Sequence, residues 1–372
     1  MVASDGGRSR VPGKRMPSVG GRIAAAARPV LEIDGSQHAG SGSIVRQAIA
    51  LAALTGQPTR VVNARLRRPH PGLRRQHVTV LEAIRELVGG SLEGASVGSQ
   101  TVSFRPGATA PSGRYVFDIG SAGSATMLAL AVLPILLDRS RGVEIEVHGG
   151  LFQDFAPSLF HLQHVLLHLL AGMGHSAEIE MIRPGYVPAG QGIARLVVRA
   201  AKARPRPVAL ARAGPVESLW GIALASHLRD RQVAARISGS ATAVLRASGM
   251  DATIDVREDV SAVQPGAAFA LFADLAGRAR LGADRAGAPR RSAEAMGTYV
   301  ARRLLEDLRT GATVDRHAGD QLLLFAALVP GESIYEVPVA TDHLRTAAWL
   351  SELFLGAEVA IDGRSVTVRG RA

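Results

Sequence analysis

The chain of 372 residues contains no cysteine. That excludes disulfides, thiolate zinc sites, iron–sulfur clusters and cysteine nucleophiles, and it fits a cytoplasmic location. Aromatic residues are scarce: Phe, Trp and Tyr make up 4% of the chain, too few for a platform on which successive bases stack. No window reaches the roughly 18 uninterrupted apolar residues that a membrane span requires. The nearest, Ala125–Leu137, contains Pro134 and follows a Gly/Ser cluster, so it reads as a buried helix. Carboxylate pairs at metal-ligand spacing are also missing; Asp34, Glu294 and Asp320 are scattered and read as structural hydrogen-bond partners.

One lack is local and one-sided. Between Gly35 and Leu81 there is no Asp or Glu, yet Arg46, Arg60, Arg65, Arg67, Arg68, Arg74 and Arg75 all occur. The whole chain carries a formal net charge of +11. An acid-free stretch of this kind reads as a site for phosphate or nucleic acid, with a generic basic face as the plain alternative. Residues 1–28 hold Arg8, Arg10, Lys14, Arg15, Arg22 and Arg28 against Asp5 alone. No apolar run follows these charges, so the segment is expected to be a disordered basic tail and not a signal peptide.

With 47% apolar and 20% charged residues, the chain is expected to fold as two to four compact α+β units. Three segments share a plan. A polar or Gly/Ser-rich opening leads into an apolar helix at Ile44–Leu54, Ala125–Leu137 and Gln321–Leu328. Strands rich in β-branched residues follow at Arg60–Asn63, Val143–Val147 and Ser333–Val339. Second helices come at Arg75–Leu87, Leu159–Leu170 and His343–Leu355, with apolar residues three and four apart. Each unit then closes with a hairpin, over Leu92–Phe104, Ala177–Val198 and Glu358–Val368. Two helices on one face of a small mixed sheet form an α+β sandwich. Residues 201–289 interrupt the order: a stiff linker at Ala203–Pro207, a helix-like stretch at Val216–Arg229, and strands at Ala252–Val256 and Ala267–Leu275. The third unit is expected to resume with a helix around Ser292–Leu308.

Three motifs carry chemistry. Gly40-Ser41-Gly42 follows the strand Val30–Ile33 and opens a helix bearing Arg46, an arrangement that favours phosphate at free helix N–H groups. It is not a dinucleotide fingerprint, because the third glycine position holds Val45 and no acid follows about 20 residues on; a tight packing turn is an equal reading. Arg65 to His77 is a Pro/Gly-stiffened loop whose arginines can bond phosphate oxygens bidentately. His317, in Asp315-Arg316-His317-Ala318-Gly319-Asp320-Gln321, stands where a helix begins. An imidazole there can attack phosphorus while helix N–H groups hold phosphate oxygens; alternatively the cluster only caps the helix.

Taken in order, these segments resemble the RNA 3'-terminal phosphate cyclase family over residues 29–372. The resemblance rests on Ile33-Asp34-Gly35-Ser36-Gln37, Arg65 to His77, Gly94 to Gly107, Gly120-Ser121-Ala122-Gly123-Ser124 and His317 to Leu322. It implies three βαβαββ-type repeats, each with two helices on a four-stranded mixed sheet, plus a smaller inserted α/β domain. The corresponding boundaries are a tail over 1–28, repeats one and two over 29–200, an insert over 201–289 and repeat three over 290–372. The activity implied is ATP-dependent conversion of an RNA 3'-phosphate to a 2',3'-cyclic phosphate, with a divalent metal (Mg or Mn) whose ligands stay unassigned. The same resemblance makes His317 the nucleophile that takes up AMP. It assigns Arg46, Arg65, Arg68, Gln76 and His77 to the phosphate and RNA end. It assigns Ser292, Ala293, Glu294, Ala295, Met296, Asp320 and Gln321 to the nucleotide.

Several positions depart from the family pattern. Ala39 stands where the family carries an acid, Leu130 where it carries a glutamine, and Leu151 and Ala347 replace a Thr and an Asn. These mark a divergent member. A non-catalytic cyclase-like RNA-binding protein in RNA processing or ribosome biogenesis is the rival reading, opposed by the retention of His317. An enolpyruvyl-transferase-like enzyme would need six repeats and a lysine-rich site, whereas lysine is nearly absent here.

Overall fold

Strand β1 (Leu31–Asp34) delivers the chain to a Gly/Ser turn, and Ser41 caps the helix that follows by accepting the Ser43 N–H. That helix, α1 (Gly42–Thr55), ends at Gly56, whose φ of 68° closes it in the left-handed conformation. Next come β2 (Thr59–Val62), α2 (Arg75–Val88), β3 (Gly90–Glu93) and β4 (Val102–Pro106). They form a sheet of order β1-β2-β4-β3, parallel between β1 and β2 and antiparallel elsewhere. The computed structural model describes residues 1–2, 28–139, 142–200 and 203–371, so most of the expected basic tail lies outside the described residues.

The second sheet repeats this order as β5-β6-β8-β7. It comprises β5 (Gly113–Asp118), α3 (Ala125–Arg139), β6 (Val143–Gly149), β7 (Ala177–Arg183) and β8 (Gly192–Val198) with a composite helix between β6 and β7. That helix runs from α4 (Leu159–His161) through a π-helical turn at Leu162–Leu166 into α5 (Leu167–Gly172).

Strand β9 (Ala209–Leu210) is followed by β10 (Val216–Ser226), α6 (Val233–Ala247), β11 (Thr253–Asp259), β12 (Gly266–Leu275), β13 (Arg280–Ala286) and α7 (Ala293–Arg309). The third sheet has the order β11-β10-β12-β13. The chain then continues through α8 (Ala318–Ala327), β14 (Gly331–Glu336), α9 (Asp342–Leu355), β15 (Glu358–Asp362) and β16 (Ser365–Gly370) into a fourth sheet, β15-β16-β14-β9. The result is an α+β protein with four four-stranded mixed sheets.

Three local expectations are corrected. Val216–Arg229 is not helical: it holds β10, the strand between β11 and β12. Its two faces enter different cores. Ile222 and Leu224 join the larger core shared with Ile33, Leu128 and Leu322, while Leu219, Ala223 and Ala225 join a second core with Ile237, Phe269 and Leu304. A strand buried on both sides shows no alternation, so periodicity cannot separate it from a buried helix. The helix expected to open the last unit, α7, packs instead on α6 and on β12 and β13. The first strand of the fourth sheet is β9, which pairs in parallel with β14 through Ile334↔Ala209 and precedes the whole third sheet in sequence. Among the described residues no helix is long and apolar enough to cross a membrane.

Candidate active site

Elements from widely separated parts of the chain meet around one cleft of about 700 Å3. The start of α1 supplies Ser43 and Arg46, and the loop before α2 supplies Arg65 and Arg68. Gln76 and His77 come from α2, Leu130 from α3 and His161 from α4. Asp284 lies on β13, Tyr299 on α7, His317, Asp320 and Gln321 at the head of α8, and His343 on α9.

His317 is the residue immediately before α8, and its backbone N–H and that of Ala318 both donate to Asp315 Oδ1 at 2.9 Å. This carboxylate therefore satisfies N–H groups that the start of a helix leaves open. Its other oxygen accepts the Gly282 N–H from β13 at 2.9 Å. His161 Nε2 donates to both oxygens at 3.1 Å. The His161 side chain is 1% exposed and that of Asp315 0%. Burial alone would pull the His161 pKa down, but Asp315 beside it outweighs that and raises it to about 9. Burial likewise opposes ionisation of Asp315, yet the charge and hydrogen bond of His161, with His317 and the Ala318 N–H, hold this carboxyl well below the usual range.

The His317 ring is exposed to the cleft and stands edge-on to His161, with centroids 6.2 Å apart. The enclosing walls desolvate it and lower its pKa; Asp315 and Asp284 pull upward, His161 and Arg316 downward. A lowered imidazole pKa leaves a lone pair free at neutral pH. One turn into α8, desolvation pushes Asp320 up to about 7 against the pull of Arg46, while desolvation brings Arg46 itself down to about 10.

The arginine loop is rigid for reasons visible in its backbone. Arg65 has φ of 58° and donates to the carbonyls of His70 and Gly72 at 2.9 and 2.5 Å. Arg67 donates to the His38 carbonyl at 3.0 Å. His77 is buried, and its Nδ1 accepts the Arg74 N–H at 3.0 Å, which leaves the proton on Nε2. Desolvation, then Arg46 and Arg65, push this imidazole down to about 3, so it is neutral. Gln76 Oε1 accepts the Ser124 N–H at 3.0 Å and ties α2 to the start of α3. Among the described residues, Arg46, Arg65 and Arg68 have no carboxylate oxygen within 4 Å, although ion pairs are frequent elsewhere on the protein.

Buried polar atoms without a hydrogen-bond partner concentrate here too. Gln47 Oε1, His161 Nδ1, Arg285 Nε and Gln321 Oε1 all belong to residues that line the cleft. Such atoms ordinarily find a hydrogen-bond partner, and several in one concave place favour a polar ligand.

The cleft brings together His317, Arg46, Arg65, Arg68, Gln76, His77, Asp320 and Gln321, all singled out from the sequence. It does not include Ser292, Ala293, Glu294, Ala295 or Met296 among its lining residues. Ser292 caps α7 by accepting the Ala295 N–H, Glu294 pairs with Arg236 of α6 at 2.7 Å, and Met296 is buried. The same helix reaches the cleft one turn later through Tyr299, whose ring lies 4.0 Å from the Arg285 guanidinium. Sequence reasoning also missed His161, Asp284, Arg285 and His343, the last lying 3.2 Å from Ser43 Oγ through Nδ1.

The described residues contain no group of three or more His, Cys, Asp or Glu able to hold a metal. Of the cleft carboxylates, Asp154 is engaged by Arg291 and Asp284 accepts the Ser158 N–H. These residues do not fit a dedicated metal cage. Magnesium commonly reaches such sites on substrate phosphates with only one or two carboxylates.

A family model described as RNA 3'-terminal phosphate cyclase matches residues 37–361. Proteins named RNA 3'-terminal phosphate cyclase are similar along most of the chain. The one from Hyperthermus butylicus is 40% identical over 89% of this chain and 93% of its own length. That from Methanopyrus kandleri is 36% identical over 90% and 96%, and that from Nitrosospira multiformis 36% over 92% and 96%. A solved structure, the enolpyruvyl transferase NikO from Streptomyces tendae, aligns at a TM-score of 0.35 and 13% identity over 92% of this chain. The chain spans 48% of that protein, and a likeness so slight bears on neither fold nor function.

Proposed function

The chain is a member of the RNA 3'-terminal phosphate cyclase family, and from that premise we propose that it uses ATP to close an RNA 3'-terminal phosphate into a 2',3'-cyclic phosphate through a covalent His317–AMP intermediate. The observation that carries this reading is one cleft in which an exposed, largely unprotonated imidazole faces Arg46, Arg65 and Arg68, none paired with a carboxylate among the described residues.

The chemistry follows from those groups. The His317 lone pair attacks the α-phosphorus of ATP; an N–P bond forms, the bond to the bridging oxygen breaks, and pyrophosphate leaves. An oxygen of the RNA 3'-phosphate then attacks the same phosphorus and expels the imidazole, giving an RNA-adenylate. The neighbouring 2'-hydroxyl displaces AMP from the 3'-phosphorus and closes the ring. Splitting the reaction this way turns a poor leaving group into a good one. Arg46, Arg65 and Arg68 offset the charge that grows on the phosphoryl oxygens, and the low-dielectric walls strengthen each such contact. Asp320 and Gln321 face the same space from α8, and the neutral His77 offers its Nε2 proton as a donor. A divalent metal (Mg or Mn) carried on the phosphates would supply further charge neutralisation.

Three sheets share one strand order and one helix pattern, and we read them as three copies of a βαβαββ unit with the remaining sheet and its helices inserted. The substrate read from the site is RNA ending in a 3'-phosphate. Incubation with α-labelled ATP and magnesium or manganese, followed by denaturing electrophoresis, tests the intermediate. Covalent label in the wild type that is lost in His317→Ala supports it. Absence of label with either metal sinks it and favours the non-catalytic RNA-binding alternative.

A further inference from the structure

His161 packs directly behind His317, the proposed nucleophile. His161 belongs to α4, far from α8 in sequence, and reaches Asp315 across 154 positions. Asp315 in turn is the meeting point of three parts of the chain. It receives His161 from α4, the Gly282 N–H from β13, and the N–H groups of His317 and Ala318 from the turn that opens α8. The His317 ring stands edge-on to His161 at 84°.

We propose that His161 is a positioning residue for His317: by engaging both oxygens of Asp315 it fixes the turn that carries the nucleophile and screens that carboxylate from the nucleophile's ring. The proposal rests on reading His317 as the nucleophile. Two roles combine in it. The geometric one is the donor N–H, which holds the carboxylate in line with three backbone N–H groups. The electrostatic one is the charge: without His161, Asp315 stays ionised on those N–H groups and faces His317 alone, which favours a protonated and non-nucleophilic ring.

The other charged or titratable groups around His317 are Arg316 on its own turn, Asp284 from β13, Asp320 from α8 and His343 from α9. Asp284 already accepts the Ser158 N–H, and Arg316 is held by buried Asp307. His161 is the only imidazole hydrogen-bonded to Asp315 among the described residues.

Two substitutions separate the roles. His161→Gln keeps an N–H within reach of Asp315 but carries no charge; His161→Leu removes both. The experiment measures single-turnover formation of the labelled protein at saturating ATP across pH, with melting curves to confirm folding. A parallel measurement follows the His317 Cε1–H signal by NMR titration of the free protein, assigned by its loss in His317→Ala. For the glutamine variant the expected result is a rate at high pH near that of the wild type, with the acid limb moved to higher pH. For the leucine variant the high-pH rate itself falls, by about 10- to 100-fold, with unchanged KM for ATP. In both, the NMR midpoint of His317 moves upward.

A midpoint that stays put or falls in both variants overturns the proposal, as does a leucine variant that labels like the wild type at every pH. A loss of rate that is equal in both variants and independent of pH also overturns it, since that is what mere loosening of the core produces. If the wild-type protein takes no label at all, the proposed reaction fails, and the NMR midpoint still decides whether His161 screens Asp315.

Discussion

A β-carbon on Gly42 would lie 2.1 Å from His77 Nε2, so the first residue of α1 and the imidazole of α2 occupy each other's space. Glycine is required there because the ring, fixed by the Arg74 N–H, has nowhere to retreat. Gly42→Ala is expected to destabilise the protein by about 1–3 kcal/mol through overpacking, of which better helix propensity recovers under about 1 kcal/mol. Denaturant unfolding measures the first effect. Any shift of α1 or of His77 that relieves the clash is also expected to weaken binding of RNA carrying a 3'-phosphate.

Arg68 is exposed in the cleft with no carboxylate within 4 Å among the described residues. Arg68→Ala is expected to weaken binding of a 3'-phosphorylated oligonucleotide regardless of its sequence. It should also flatten the dependence of log affinity on log salt by about 0.7, the contribution of one phosphate contact to a single strand. A salt titration of fluorescence anisotropy reads both, and an unchanged slope would remove Arg68 from the phosphate path.

The buried His161–Asp315 pair makes stability depend on pH in a definite direction. His161 is raised from 6.5 to about 9 on folding, so its contribution is fully present below about 6.5 and is lost as pH rises through about 9. Asp315 is depressed, so its contribution is present above the ordinary carboxylate range and is lost as pH falls below it. Between those limits the wild type should exceed His161→Gln by roughly 2–4 kcal/mol, and the gap should close between pH 7 and 10. Unfolding free energies across that range check this, and a gap that widens with pH would refute it.

Ser292 accepts the Ala295 N–H at 3.1 Å and caps α7 away from the cleft lining. Ser292→Ala is expected to cost about 1 kcal/mol of stability and to leave formation of labelled protein at limiting ATP unchanged. Tyr299→Ala, two turns further on and in the cleft wall, should weaken that labelling. Equal effects of the two substitutions on labelling would place the first two turns of α7 in the nucleotide site.

The parts of the fold and site that could be read from sequence share a physical cause. His317, Arg65 and Arg68 stand out because polar and glycine residues interrupt apolar runs at the ends of elements, where chemistry is exposed. The helix at Arg75–Val88 is legible because one face is buried and the other is not, and the one at Gly42–Thr55 because a long apolar run follows its Ser/Gly opening. His161 was hidden for the opposite reason: it lies inside an apolar helical run, and only the distant Asp315 gives it a role. Strand β10 loses its alternation between two cores, and α6 is obscured by Gly239, Ser240 and Thr242, residues that favour other conformations. Two-residue β9 leaves no periodic signal at all.

That short strand sets the order in which the molecule can be completed. During synthesis β9 emerges with its partner β14 still more than a hundred residues away, and the entire third sheet must be made before the two can pair. Loop closure over such a distance is slow, whereas each of the other sheets draws on strands from one continuous stretch. The sheet on which α8 packs is therefore the last to close, and an incomplete chain exposes an edge of only two residues, too short to recruit a stray strand. A nascent chain thus holds His317, the proposed nucleophile, beside an unfinished sheet until β14 to β16 have been made.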